Sequence, residues 1–264
     1  MKNKQVAKRL LNKFDRNIFN KLVETNGYIA GGAILSSFTK NKINDFDLYF
    51  RNLDDMELFI DKLNPIDKEL IWLDYKQRNK IRKTAEKTPV IIMKTNNAKT
   101  ILFNEQIYQV ITAFQEEPND LFRYFDYTVC MGAYDPKSDQ FILHEQFLPD
   151  VMAKQLHFNI GTEYPLASML RLLKYQKKGY TISGIEVIKL GLAVHHLEIK
   201  TFADLKYHLM GIDTLFLTDL TKAFDEGIYK DKQFQFDEFI SLLDDYVLKY
   251  ESKYFGKSDD DENM

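Results

Sequence analysis

Apolar residues recur at Val6, Leu10, Leu11, Phe14, Ile18, Phe19 and Leu22, a spacing that predicts one amphipathic helix across residues 4–24, closed by Asn26-Gly27. Tyr28-Ile29-Ala30 reads as a short strand, followed by Gly31-Gly32 and a short helix through Leu35 and Phe38. After a polar turn at 41–44, Phe46, Leu48 and Phe50 alternate with Asp45, Asp47 and Tyr49. That period of two predicts a strand with one apolar and one polar face. Residues 54–63 predict a crossover helix, and 90–93, 100–103 and 107–114 predict further strands, separated by Asn96-Asn97 and Asn104-Glu105. Beyond Gly161 the period becomes helical. Leu166, Met169, Leu170 and Leu173 mark one helix ended by Gly179, and 185–197, 202–209 and 236–250 predict three more. The expected architecture is an α/β (α+β) head with a mixed sheet over 1–158, an all-helical domain over 159–255 and a disordered acidic tail over 256–264.

Composition narrows the setting. The chain has 264 residues, of which 45% are hydrophobic, enough for one large domain or two modest ones. The net charge of -3, from 36 basic and 39 acidic residues, provides no global positive field, although a local basic surface stays open. A single cysteine, Cys130, cannot form an internal bridge and suits a reducing compartment. No apolar run approaches the roughly 18 residues of a membrane span. The basic start of the chain lacks the apolar stretch of a signal peptide. A soluble, cytoplasmic protein of a bacterial or phage-infected cell is expected, with no membrane partner. No Walker A or G-x-G-x-x-G pattern is present, so ATPase and dinucleotide readings have no support.

The informative chemistry is Gly31-Gly32 followed by Asp45-Phe46-Asp47. Positions i and i+2 of a strand share a face, so the two carboxylates converge, a repulsive arrangement unless divalent cations sit between them. Mg²⁺, or Mn²⁺, prefers hard oxygen ligands and takes one or two carboxylates plus substrate phosphates. A glycine pair between a strand and a helix lets backbone amides approach a triphosphate. Together these are parts for nucleotidyl transfer from an NTP. A second Asp-x-Asp, at Asp259 and Asp261, stands in the tail and reads as solvated.

The order Gly-Gly, helix, turn and Asp-x-Asp on a strand resembles the head of the DNA polymerase β superfamily of nucleotidyltransferases. The segment from Phe125-Asp126-Tyr127-Thr128-Val129-Cys130 to Asp135-Pro136 resembles the R-R-D-F-T-I-N-A-x-A-Y stretch of bacterial poly(A) polymerases and CCA-adding enzymes. Residues 144–156 occupy the place of that family's next conserved stretch. Pro165-Leu166 through Met169-Leu170-Arg171, ending in Lys178-Gly179-Tyr180-Thr181-Ile182, is similar to its D-P-L-R-M-L-R-A…G-F-x-I helix. Phe125 to Cys130 and the later Leu209-x-Gly-x-Asp213 are similar to phage-encoded proteins with F-D-F-x-x-C. The likeness implies metal binding at Asp45 and Asp47, triphosphate contact at Gly31 and Gly32, and a nucleotide-positioning role for Asp126, which would otherwise serve as a helix N-cap. It departs where Tyr124 and Phe125 replace two arginines and where the strand at 107–114 carries Gln109 instead of a third carboxylate. Glu163-Tyr164-Pro165-Leu166-Ala167 also lacks the Asp and Arg that read the incoming base.

Arg171, Lys174 and Lys178 fall on one helical face, opposite Leu166, Met169, Leu170 and Leu173, a stripe able to hold a triphosphate or RNA phosphates, or else simply a solvated face. Residues 76–87 are basic, with six Lys or Arg, and read either as a mobile loop touching nucleic acid or as a solvated loop. His195-His196 has no partner at ligand spacing, and Cys130 reads as packed. The function expected is transfer of an NMP to the 3′ hydroxyl of an RNA such as tRNA. The alternatives are a degenerate nucleotide- or RNA-binding module and a toxin-like transferase acting on protein.

Overall fold

The computed structural model describes residues 2–68 and 75–209, and within 235–244 the positions 235–237, 239–241 and 244. The chain divides into two units, Met1–Gly161 and Thr162–Met264.

The first unit is built on an eight-stranded mixed sheet. Its strands are β1 (Tyr28–Ala30), β2 (Asp45–Phe50), β3 (Ile66–Asp67), β4 (Val90–Lys94), β5 (Ala98–Phe103), β6 (Gln106–Gln115), β7 (Gly132–Asp135) and β8 (Gln140–Leu143), in the order β3-β4-β5-β6-β2-β1-β7-β8. The pairs β2/β6 and β3/β4 are parallel and the other neighbours antiparallel. The helices are α1 (Lys2–Leu11), α2 (Arg16–Glu24), α3 (Gly32–Thr39), α4 (Leu53–Leu63), α5 (Tyr75–Ala85), α6 (Pro118–Leu121) and α7 (Phe147–Ala153).

The alternation in β2 sorts the sheet into two faces. Phe46 and Leu48 sit opposite Tyr108 and Val110 of β6, and together with Ile29, Ile101 and Tyr134 they form the main core, against Leu10, Ile18, Leu22, Ile34 and Phe59. The opposite face is covered only in part. Tyr28, Ala30, Tyr49 and Ala133 pack there with Leu121, Phe122 and Met131 in a second apolar cluster, whereas Asp45, Asp47, Ile107 and Gln109 are half-buried. Tyr49, on the side of β2 read as polar, is therefore core.

Two expectations about helices change. The helix expected across 4–24 is two helices, because Asp15 turns extended (φ -64°, ψ 133°) and its carboxylate accepts from the Asn17 and Ile18 amides, the N-cap of α2. A single apolar stripe survives such a break when both helices pack on one core. The basic segment read as a loop contains α5, whose Ile81 and Ala85 pack with Val90 beneath a charged exterior. The strands β7 and β8 lie in a stretch where no strands were predicted: they are four residues each, and β7 begins with a glycine.

In the second unit the described helices are α8 (Pro165–Lys177), α9 (Gly184–His195) and α10 (Phe202–His208), with Thr181–Ile182 extended between the first two. Most of the helix expected at 236–250, the Gly-x-Asp of 211–213 and the tail at 256–264 lie outside the described residues. The face that α8 buries is not the expected apolar stripe, although Lys174 and Lys178 are exposed as expected. Its buried positions are Pro165, Ala167, Ser168 and Tyr175, while Met169, Leu170 and Leu173 are exposed. Ala167 and Ser168 allow close approach where larger side chains would hold a neighbour off.

Tyr108 joins the sheet to the helical layer. It is 1% exposed, stacks on Phe46 with ring centroids 5.7 Å apart and meets Phe14 edge-on at 5.1 Å. Its hydroxyl oxygen accepts the Asp15 amide at 2.9 Å, and burial pushes its pKa up to about 12. Tyr108→Phe leaves that amide unsatisfied, so a loss of about 1–2 kcal/mol is expected by denaturant unfolding. Tyr108 stays neutral in the folded chain while its unfolded counterpart ionises near pH 10. Its contribution is thus complete below about pH 10 and is lost as the pH rises towards 12. The Phe variant should show a shallower alkaline decline than wild type, and matching slopes would remove Tyr108 as a source of that decline.

Candidate functional site

The site begins with the backbone between β1 and α3. Gly31 has φ 77° and ψ -134°, a conformation that side chains rarely adopt, and it occupies the N-cap of α3. Its amide donates to the Gly132 carbonyl at 3.0 Å, while its own carbonyl accepts from Ile34 and Leu35. Gly132 is needed for close approach: a Cβ there would lie 2.9 Å from Ile34 Cγ2 and 3.0 Å from Phe147 Cε2. The N-terminus of α3 is thereby tied to β7 as well as to β1.

Register then brings the aspartates to this turn. Ala30 pairs with Asp47 across the antiparallel β1/β2 ladder, so the next residue, Gly31, leaves the sheet beside that carboxylate. A Cβ on Gly31 would stand 3.4 Å from Asp47 Oδ2. On the other side Asp47 pairs with Gln109 and Asp45 with Ile107 of β6, while Gln109 in turn faces Thr100 of β5. Residues directly opposite share a face, so Asp45, Asp47 and Gln109 sit on the half-buried part of the lightly covered face. Gly32 is exposed, and nothing lies within 4 Å of the Cβ position it lacks.

The donor set suits a hard divalent cation. Two carboxylates at i and i+2, with the neutral carboxamide of Gln109 alongside, provide hard oxygen donors on one face, and Mg²⁺ takes one or two carboxylates with the remainder from phosphates and water. Among the described residues no group of three or more His, Cys, Asp or Glu gathers as a metal site.

The other residues singled out from the sequence take different places. Asp126 is 3% exposed, and its Oδ1 accepts from the neighbouring Tyr127 amide at 2.9 Å. Its carbonyl accepts the Asn159 amide, and Tyr127 bridges to Phe158. The N-cap of the 3-10 turn Thr128–Cys130 is Tyr127, so Asp126 is not a helix cap. That turn packs against α3 and leads directly into Gly132, which connects Asp126 through the chain to the Gly31 amide. Arg171 and Lys174 belong to α8 in the second unit: Lys174 is exposed and Arg171 half-buried with its Nε enclosed. Cys130 is buried.

Two polar groupings, one centred on buried Asp150 and the other on the partly exposed Arg51, carry no sequence signal. Asp150, 3% exposed, takes the Thr128 hydroxyl on one oxygen and His157 Nδ1 at 2.9 Å on the other. Arg51 holds Asp135 and Glu117, each at 3.0 Å, and lies 5.4 Å from the Tyr28 ring centroid. Both join residues distant in the chain, so no local spacing marks them. No helix of the described residues is long and apolar enough to cross a membrane.

Comparison with solved structures agrees with the sheet and its helices. A CCA-adding enzyme in complex with CTP aligns over 97% of this chain and 63% of its own length, with a TM-score of 0.52 and 15% identity. An apo CCA-adding enzyme aligns over the same shares, with a TM-score of 0.50 and 14% identity. The fold is that of these CCA-adding enzymes. A curated relative, "Gabija anti-defense 2" of Bacillus phage SPbetaL7, is 34% identical over 220 residues, covering 83% of this chain but 49% of the relative. The chain thus spans about half the length of that curated relative. A family model described as "Gabija anti-defense 2 family protein" matches residues 1–154, the part of the chain that carries the sheet, the glycine turn and both aspartates. The chain belongs to the Gabija anti-defense 2 family.

Proposed function

We propose that the chain is a metal-dependent nucleotidyltransferase that moves an NMP from an NTP to an acceptor hydroxyl, in the service of countering Gabija defence. The observation that supports this is the register that pairs Ala30 with Asp47 and so starts the Gly31 turn next to that aspartate, with Asp45 on the same half-buried face of the sheet. Asp45 and Asp47 would hold Mg²⁺ or Mn²⁺. When bound, that ion supplies Lewis-acid polarisation of the transferring phosphoryl group. The exposed Gly32 amide, at the positive end of α3, admits the triphosphate. The acceptor oxygen attacks the α-phosphorus, the α–β bridging P–O bond breaks and pyrophosphate leaves. Gln109 cannot take up the hydroxyl proton as a carboxylate would, so that proton goes to solvent. Asp126 is proposed to act as a positioning residue behind the glycine turn, and Arg171 and Lys174 to contact phosphates from a helical C-terminal domain. The family resemblance in the sequence makes an RNA 3′ end, such as that of tRNA, the proposed acceptor. Cytoplasmic action follows from that acceptor.

Gln109 favours one other reading, a module that binds nucleotide or RNA without catalysis, because the neighbour of Asp47 carries no charge.

The test is incorporation of each α-labelled NTP in Mg²⁺ or Mn²⁺ with total RNA as acceptor, beside Asp45→Asn and Asp47→Asn. Loss of the ion's several kcal/mol of transition-state stabilisation predicts at least a ~1000-fold fall in each variant with an unchanged unfolding midpoint. Label on a protein band would move the acceptor to protein. NTP binding with no label anywhere would favour the binding module, and undiminished transfer in either variant would refute the assignment of the two aspartates.

The two glycines should separate structure from chemistry. Gly31→Ala forces a side chain into a positive-φ turn and should destabilise the chain by about 1–2 kcal/mol. Gly32→Ala meets open space in a helix and should leave the melting temperature unchanged or raised. It should nevertheless weaken NTP binding, measured by the thermal shift that NTP induces. An undiminished shift would mean that no phosphate approaches Gly32.

A further inference from the structure

The geometry points to a second anion site on the first unit, separate from the glycine–aspartate arrangement, that takes a run of phosphate groups. An open pocket of about 450 Å³ lies between α1, α3 and the chain leaving α3. Lys8, Arg9 and Lys13 line it from α1 and the turn after it, and Lys40 and Lys42 line it from the far side; no carboxylate is among the lining residues. Among the described residues none of these five cations is in an ion pair. In a chain with net charge -3, such a concentration of one sign is a local arrangement rather than a reflection of composition.

Dipole complementarity accounts for only part of it. Lys40 stands at the C-cap of α3, where a cation offsets the negative helix end. Lys42, in the loop beyond, and Lys13, after α1, are outside both helices. Arg9 is fixed in place, since its Nε donates to the Ser37 carbonyl at 2.8 Å, leaving its terminal N–H groups as donors. Asn12 and Asn41 add neutral hydrogen-bonding groups, and no aromatic ring lines the pocket on which a base could stack. The lining therefore suits phosphates rather than nucleosides. That chemistry is shared by a nucleic-acid backbone and by free polyphosphate. Lys42 is three residues from Asp45, which limits their Cα separation to about 11 Å.

The test measures binding apart from transfer, in EDTA without divalent metal. Full-length wild type, Lys8→Gln/Lys13→Gln/Lys42→Gln, and the charge-matched control Lys68→Gln/Lys83→Gln/Lys87→Gln are titrated with a labelled single-stranded RNA and, separately, with inorganic tripolyphosphate. All six lysines are exposed, so both variants should keep the wild-type melting temperature. The pocket variant should bind RNA at least tenfold more weakly, with the slope of log K against log salt reduced by about 2 for three lost phosphate contacts, and the control should change far less. Loss of tripolyphosphate binding with unchanged RNA binding supports the site and makes free polyphosphate its source. Affinities for both probes that are unchanged, or that fall equally in the two variants, overturn it. Asp45→Asn/Asp47→Asn protein should retain this binding, so a failure of the transferase reading would leave this result separately interpretable.

Discussion

Gly31 leaves β1 with a backbone that side chains rarely adopt, donates its amide to the Gly132 carbonyl and follows Ala30, which pairs with Asp47. The surrounding architecture depends on that turn. It starts α3, it ties α3 to β7, and it sets the amide end of a helix near Asp47. A residue with a Cβ would strain the turn, because its φ is positive.

The two faces of the sheet divide the work. One is fully covered by α1–α4 and carries the main core, in which Phe46, Tyr108 and Phe14 interlock at ring distances of 4.7–5.7 Å. The other is covered only where Tyr28, Tyr49 and Phe122 pack, leaving Asp45, Asp47 and Gln109 half-buried. Strand β2 is therefore anchored by alternate residues while its acidic positions remain reachable. This is how one strand can belong both to the core and to a site.

Membership of the Gabija anti-defense 2 family and the fold of CCA-adding enzymes answer different questions. The family match covers residues 1–154, the structural alignment nearly the whole chain at 15% identity. At that distance the fold is retained while the residues that decide an acceptor are free to differ. Tyr164 and Pro165 begin α8 where the sequence resemblance would place base-reading side chains, and Gln109 stands where it would place a third carboxylate. Both departures lie at positions to which the sequence resemblance assigns base reading and a third carboxylate.

Much of this was legible in the chain itself, wherever the signal was local. Period two over 45–50 marked β2 and its acidic face, Gly31-Gly32 marked the strand-to-helix turn, and helical spacing marked α8, α9 and α10. Only the tertiary structure decided what depended on distant partners. Asp15 broke one predicted helix into two by capping α2, Tyr49 was drawn into core by Tyr28 across the ladder, and α8 buried Ala167 and Ser168 in place of its leucines. The basic pocket arose the same way, from lysines about thirty residues apart that α1 and α3 bring to one concavity. Periodicity reports the alternation of a chain's surfaces, and packing determines which of those surfaces meet.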